Sequence, residues 1–227
     1  MEPLSQHDQK LQFILRNAAR IFAEKSYHST SMRDISRATG VSLAGLYHYC
    51  KSKEELLFLI QDNCFARVTE RLETRLADAT DPVEKLRIFI DNHLAFFAAN
   101  MAEMKVLSHE ADSLAGDLHS RVLDKKERYT RLAREILKVV QRHGPSARKP
   151  IDLTVATYAL FGMMNWIYNW YNPNGKLAVR ELVDNVTRLY LSGFLDGGAE
   201  SQVDWSNATH GEGVSVWREP HNKNAAV

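Results

Sequence analysis

The chain has 227 residues, 44% of them apolar and 25% charged, with a formal net charge of +1. That is the composition of an ordinary globular protein of one or two domains, not of a disordered or fibrous one. No apolar run reaches the roughly 18 residues of a membrane-spanning helix. Two cysteines, Cys50 and Cys64, are too few for a disulfide framework and belong to no CxxC metal pattern.

Apolar residues recur at helical spacing along almost the whole chain, beginning with the stripe Leu11, Ile14, Leu15, Ala18, Ile21 and Phe22. Ser31 or Thr30 occupies an N-cap position, and Asp34 adds the acidic partner of a capping box. The short helix that follows is expected to bury Met32, Ile35 and Ala38. Gly40 ends it in the left-handed conformation, Val41 plugs the core, and Ser42 caps a third helix over 43–49. Lys53 begins a long helix carrying Leu56, Leu59, Ile60, Phe65, Val68, Leu72 and Leu76. Asp81-Pro82 reads as an N-cap with proline at the first helical position, opening a helix with Leu86, Phe89, Ile90, Leu94 and Phe97. A helix break is expected somewhere between Phe96 and Leu107. After Gly116 a charged helix places Val122, Tyr129, Leu132, Ile136 and Val140 on one face and closes at HGPS (143–146). Pro150 opens a helix expected to run to Tyr171, NPNG (172–175) is a turn, and a final helix striped by Leu182, Val186, Leu189 and Leu195 ends at Gly197-Gly198. No alternating strand pattern persists, so the fold class is all-α. Residues 199–227 are polar and read as a flexible tail that Trp205 and Trp217 would pin. The expected division is 1–55, 56–198 and the tail.

Three helices whose last two are joined by a tight glycine-containing turn form a helix-turn-helix, whose last helix enters the DNA major groove. The charge balance agrees. Residues 1–53 hold eight bases against four acids, leaving 21 bases and 24 acids elsewhere. In the third helix Leu43, Ala44 and Gly45 are small enough for the backbone to approach base edges. Tyr47 and His48 carry donors for phosphate oxygens. Lys53 adds a charge at one end of that helix, and Thr30 and Arg33 would pin the other side.

The pattern TSMRDISRATGVSLAGLYHYCKSKEEL (30–56), with the residues before it from about 10, resembles the DNA-binding domain of the TetR family of transcriptional regulators. The resemblance implies an all-α homodimer with an N-terminal three-helix DNA-binding domain, a C-terminal ligand-binding and dimerisation domain, and release from DNA by an effector. It implies DNA contacts at Thr30, Arg33, Ser42, Ala44, Gly45, Tyr47, His48 and Lys53. Three positions depart from the family pattern: Cys50 stands in place of phenylalanine, Ser26 in place of glycine, and Ser36 in place of alanine. The smaller Cys50 is expected to be compensated by Phe22 or Phe58. Ser26 would cost about 1 kcal/mol if its φ is positive.

Beyond the helix-turn-helix, Phe96, Phe97, Met101, Met104 and Leu107 flank the expected helix break. Met163, Met164, Asn165 and Trp166 lie in the penultimate helix. Flexible methionines among aromatics suit an adaptable apolar effector pocket. HEADSLAG (109–116) and NWYNPNGKL (169–177) are similar to TetR relatives that sense acyl-coenzyme A thioesters. That similarity implies that Arg121, Lys125 or Arg128 meets the coenzyme phosphates. Ala159, Gly162, Val186 and Tyr190 are expected at the dimer seam, where small residues let helices approach.

His93, His109, Glu110 and His119 lack metal-site spacing and read as hydrogen-bonded or solvated groups. There is no nucleophile motif and no glycine-rich phosphate loop, so neither an enzyme nor a cofactor is expected. The MEPLSQHDQK start lacks the layout of a signal peptide, and a reducing, cytoplasmic setting without membrane association is expected. The reading is a ligand-responsive repressor that binds a palindromic double-stranded operator as a homodimer. The alternative is a helical protein-protein interaction module.

Overall fold

The computed structural model describes residues 5–143 and 151–195, and every regular element among them is helical. The tail expected at 199–227, and Pro150, lie outside the described residues. No helix among the described residues is long and apolar enough to cross a membrane.

Local chemistry sets most boundaries. Helix α1 (Gln6–Lys25) starts where the Ser5 hydroxyl accepts the Asp8 N–H. Helix α2 (Met32–Thr39) opens with the full capping box, Ser31 and Asp34 each accepting the other's backbone N–H, and ends at Gly40 with φ +66°. Helix α3 (Leu43–Tyr49) is capped by the Ser42 hydroxyl, and α4 (Lys53–Leu76) by that of Ser52. Helix α5 (Pro82–Ala98) carries the expected Asp81 cap and first-turn proline. A break at 99–100 separates it from α6 (Met101–His109). A 3-10 turn (Ala111–Ser113) then leads to α7 (Gly116–His143).

Helix α8 spans Leu153–Asn165, and a 3-10 turn (Trp166–Asn169) follows it before α9 (Val179–Leu195). The expected helix to Tyr171 is therefore shorter. Its last turn tightens to 3-10, and the Tyr171 hydroxyl donates to the Leu177 carbonyl beyond the NPNG turn.

Two apolar clusters share one helix. The first half of α4 packs Leu56, Leu57 and Ile60 with Ile14, Phe22, Ile35 and Leu46; the second half packs Val68 and Leu72 with Leu86, Phe89, Tyr129, Leu137 and Leu160. The expected boundary at 55/56 thus falls three residues into a continuous helix. The N-terminal cluster also takes Val106, Leu114 and Val122 from the C-terminal segment, so the two halves interlock. Each such side chain contributes about 1.5–3 kcal/mol on burial.

Two packing expectations are corrected, and Ser26 and Cys50 are placed. In α2 the third buried position is Thr39, not Ala38, because Thr39 donates to the Ile35 carbonyl and accepts the Val41 N–H. Val186 and Tyr190 face their own core, with the Tyr190 hydroxyl on the Ala156 carbonyl, and Leu189 is exposed instead. Ser26 has φ +67°, the one positive φ outside glycine among the described residues, at a cost of about 1 kcal/mol or more. Cys50 lies buried in the same cluster as Phe22 and Phe58, its thiol against the Leu46 carbonyl.

Candidate functional site

The three-helix unit presents α3 outward. Ala44, Tyr47 and His48 are exposed, and Tyr47 retains half of its surface. Arg33 is exposed on α2 with no acidic partner among the described residues, whereas the neighbouring Arg37 is held by Asp34 at 3.0 Å. Leu43 is half-buried against the N-terminal core. Ser42 is exposed, and its oxygen accepts the Gly45 N–H while its own proton remains available to a phosphate.

Three of the expected contacts are already engaged inside the protein. Thr30 is buried and donates its hydroxyl to the Ser26 carbonyl at 2.8 Å, so it closes the α1–α2 loop instead of facing outward. Lys53 donates to the carbonyls of Tyr27 (3.0 Å) and Thr30 (2.9 Å), with its ammonium 4.3 Å above the Tyr27 ring. One of its three N–H groups is left for an outside anion. Gly45 turns its missing side chain inward. A Cβ there would lie 2.9 Å from Val41 Cγ1, so glycine lets the α2–α3 turn close. His7 joins this face, its ring 4.8 Å from Tyr49 and 6.0 Å from His48. Sequence reasoning missed it because α1 reaches the end of α3 only through the fold.

A cavity of about 440 Å³ opens among α4, α5, α6, α7 and α8. Of the expected ligand residues, Phe97, Met104, Asn165 and Trp166 line it, with Leu107. Phe96, Met101 and Met163 do not. Phe96 lies under the Arg67 guanidinium, Met101 packs at the core edge, and Met163 points outward. Arg121, Lys125 and Arg128 are likewise outside the lining. Lys125 is held by Asp62 at 2.5 Å and Arg128 by Glu73 at 2.6 Å, both acids on α4; Arg121 lies over the Phe58 ring at 4.5 Å. The base that lines the cavity is Lys126. On α8 the lining residues Tyr158, Phe161, Gly162 and Asn165 follow one helical stripe, which Trp166 extends into the 3-10 turn.

Polar groups converge at one wall. His93 Nε2 lies 3.0 Å from Asn165 Oδ1, and the Tyr129 hydroxyl 3.3 Å from His93 Nδ1. Burial pushes the His93 imidazole down to about 3 and raises the Tyr129 phenol, so both are neutral at physiological pH. An unfolded histidine titrates near 6.5. The stability that neutral His93 contributes is therefore complete above pH 6.5. It is lost on acidification toward pH 3, by about 1.4 kcal/mol per unit. Between pH 7 and pH 5, chemical denaturation of the native chain is expected to lose about 2 kcal/mol more than that of His93→Gln. Parallel pH profiles would contradict the assignment. No group of three potential metal ligands occurs among the described residues.

Residues 14–60, which hold the exposed α3, match the model of the bacterial regulatory proteins of the tetR family. Residues 79–194, which hold most of the cavity wall, match the tetracyclin repressor-like C-terminal domain. The chain belongs to the TetR family. As members are transcriptional regulators, this TetR-family protein is a regulator with a helix-turn-helix DNA-binding domain, not an enzyme. It is 28% identical to the HTH-type transcriptional repressor KstR2 of Mycolicibacterium smegmatis, over 89% of this chain and 95% of that protein. It is 24% identical to the fatty acid metabolism regulator protein of Bacillus subtilis, over 84% and 98%. Among solved structures it is similar to AibR in complex with isovaleryl coenzyme A and operator DNA, with a TM-score of 0.71 and 29% identity, covering 79% of this chain and 97% of AibR.

Proposed function

We propose that this regulator is a repressor that binds a partly palindromic operator as a homodimer and is released by a small apolar or acyl-coenzyme A effector. The observation that carries the DNA-binding part is the uncovered α3, where Ala44, Tyr47 and His48 face outward beside the exposed Arg33. Two such helices, one turn or about 34 Å apart, would enter successive major-groove faces. The division into a reading segment (1–55), a ligand-binding and dimerisation segment (56–198) and a tail (199–227) belongs to this reading.

The dimer is supported by α8. Val155, Tyr158, Ala159, Gly162, Met163 and Trp166 form an exposed stripe, and residues 153–171 contain no charge at all in a chain that is 25% charged. A Cβ on Gly162 would meet nothing within 4 Å, so that backbone is open to close approach. The effector class is supported by the aromatic cavity with its neutral His93–Asn165 wall, and by the likeness to AibR, whose structure holds isovaleryl coenzyme A. An acyl chain would enter the cavity and leave the polar part of the thioester toward Lys126.

Selection of duplexes from a random library tests the reading. A two-fold symmetric motif is expected, and its enrichment is expected to fall when isovaleryl coenzyme A is added. Enrichment of nothing in either condition would refute it. On the selected duplex, Arg33→Ala is expected to reduce the slope of log affinity against log salt by about one, the value of one phosphate contact. Tyr47→Phe should weaken all duplexes alike with the slope unchanged. An unaltered slope for Arg33→Ala would remove that residue from the phosphate contacts.

A further inference from the structure

Glu110, just past the end of α6, is a carboxylate only 6% exposed. Burying such a group is costly unless donors meet it, and charge-assisted hydrogen bonds are about twice as strong as neutral ones. Its Oε1 accepts the Tyr27 N–H at 3.0 Å, across 83 positions of sequence, and its Oε2 accepts the Ser113 hydroxyl at 2.7 Å. Its backbone carbonyl accepts the Gln61 side-chain amide at 3.2 Å. Gln61 is itself 1% exposed and lines the cavity, as do Leu107, Ser108 and Asp112 on either side of Glu110.

On its other side the connection continues without a gap. Tyr27 accepts Lys53 through its carbonyl, Lys53 also holds the Thr30 carbonyl, and Ser31, the cap of α2, is the next residue. The chain of contacts therefore runs from the cavity wall through Gln61 and Glu110 to the loop that sets where α2 and α3 begin.

We propose that Glu110 is the positioning residue through which the cavity and the DNA-reading helices bias each other, an inference that rests on the ligand-responsive reading above. A shift of α6 by about 1–2 Å, the usual scale of switching helix movements, is enough to break a hydrogen bond of this length. With the carboxylate left short of a donor, the loop has two discrete arrangements, bonded and released. Any ligand that favours one of them shifts the other site as well, and the coupling is reciprocal.

Reciprocity permits a test that needs no effector. Hydrogen exchange of the full chain is measured with and without the selected operator duplex. In the native protein the duplex is expected to change exchange at residues 101–113, which lie outside the helix-turn-helix. In Glu110→Ala that response is expected to vanish, while the salt slope of DNA binding stays unchanged because no phosphate contact is removed. Glu110→Gln keeps the size and one acceptor oxygen and is expected to recover an intermediate response. If Glu110→Ala does not fold, the Gln variant and Ser113→Ala carry the comparison, each expected to lose at least half of the response. No duplex-induced change at 101–113 in the native chain, or a full-size change in these variants, would overturn the proposal.

Isovaleryl coenzyme A supplies the second arm. The ratio of operator affinities without and with it is expected to be about 5-fold or more in the native chain and to fall toward 1 in Glu110→Ala. If it leaves the native chain unaffected, the acyl-coenzyme A reading fails, and the duplex-driven exchange still decides the role of Glu110.

Discussion

Replacing Ala159 with glutamate is expected to make the protein monomeric at micromolar concentration and to weaken binding to a symmetric operator by about a hundred- to ten-thousand-fold. Ala159 is exposed near the middle of α8, on the uncharged stripe, and is not part of the cavity lining. Glutamate is a good helix former, so the isolated subunit loses almost nothing. A two-fold interface presents the same patch from both sides, so one substitution places two carboxylates against an apolar seam at once. In the proposed dimer the second half-site would be bound at high effective concentration. Sedimentation velocity reads the first effect, and titration of a full operator beside a single half-site reads the second. Affinity for the half-site should not change. A variant that remains a dimer and binds the full operator normally would place the interface elsewhere.

Phe89→Ala is expected to lower the unfolding free energy by about 3–5 kcal/mol. The ring is fully buried on α5, stacked 5.2 Å from Tyr129 and edge-on at 5.9 Å to Phe161. Its removal deletes that aromatic packing and leaves a void beside the cavity wall, which closes only in part because the neighbours are themselves close-packed. Domains of this kind have about 5–15 kcal/mol in total, so the loss is a large fraction. Denaturant titration should show a lower midpoint at an unchanged slope. A loss below about 1 kcal/mol would mean that Phe89 does not hold α5, α7 and α8 together.

How far the sequence could be read depended on the range of the interaction involved. The capping box at Ser31 and Asp34, the left-handed Gly40 and the 43–49 helix involve neighbours within about four residues, and all three were legible. So was the run of exposed side chains on α3. The resemblance could not say which of the family's contact positions are occupied at home. Thr30 and Lys53 look like free polar groups in one dimension, yet both are held by carbonyls of the α1–α2 loop. Gly45 looked like a way to bring the backbone near DNA, and its absent Cβ in fact makes room for Val41.

By itself, then, the sequence determined the helical class, the start and stop of most helices, the family, and the uncovered face of α3. These depend on spacing and on caps formed within a turn. Tertiary structure alone decided the cavity, because its wall is assembled from Gln61, His93, Tyr129 and Asn165 on four separate helices. It also decided which bases remain available. Asp62 and Glu73 of α4 neutralise Lys125 and Arg128 and leave Lys126 at the cavity, a selection made by how α7 is rotated against α4. The Glu110–Tyr27 bond belongs to the same class: 83 residues of chain separate two groups whose meeting depends on how the whole molecule packs.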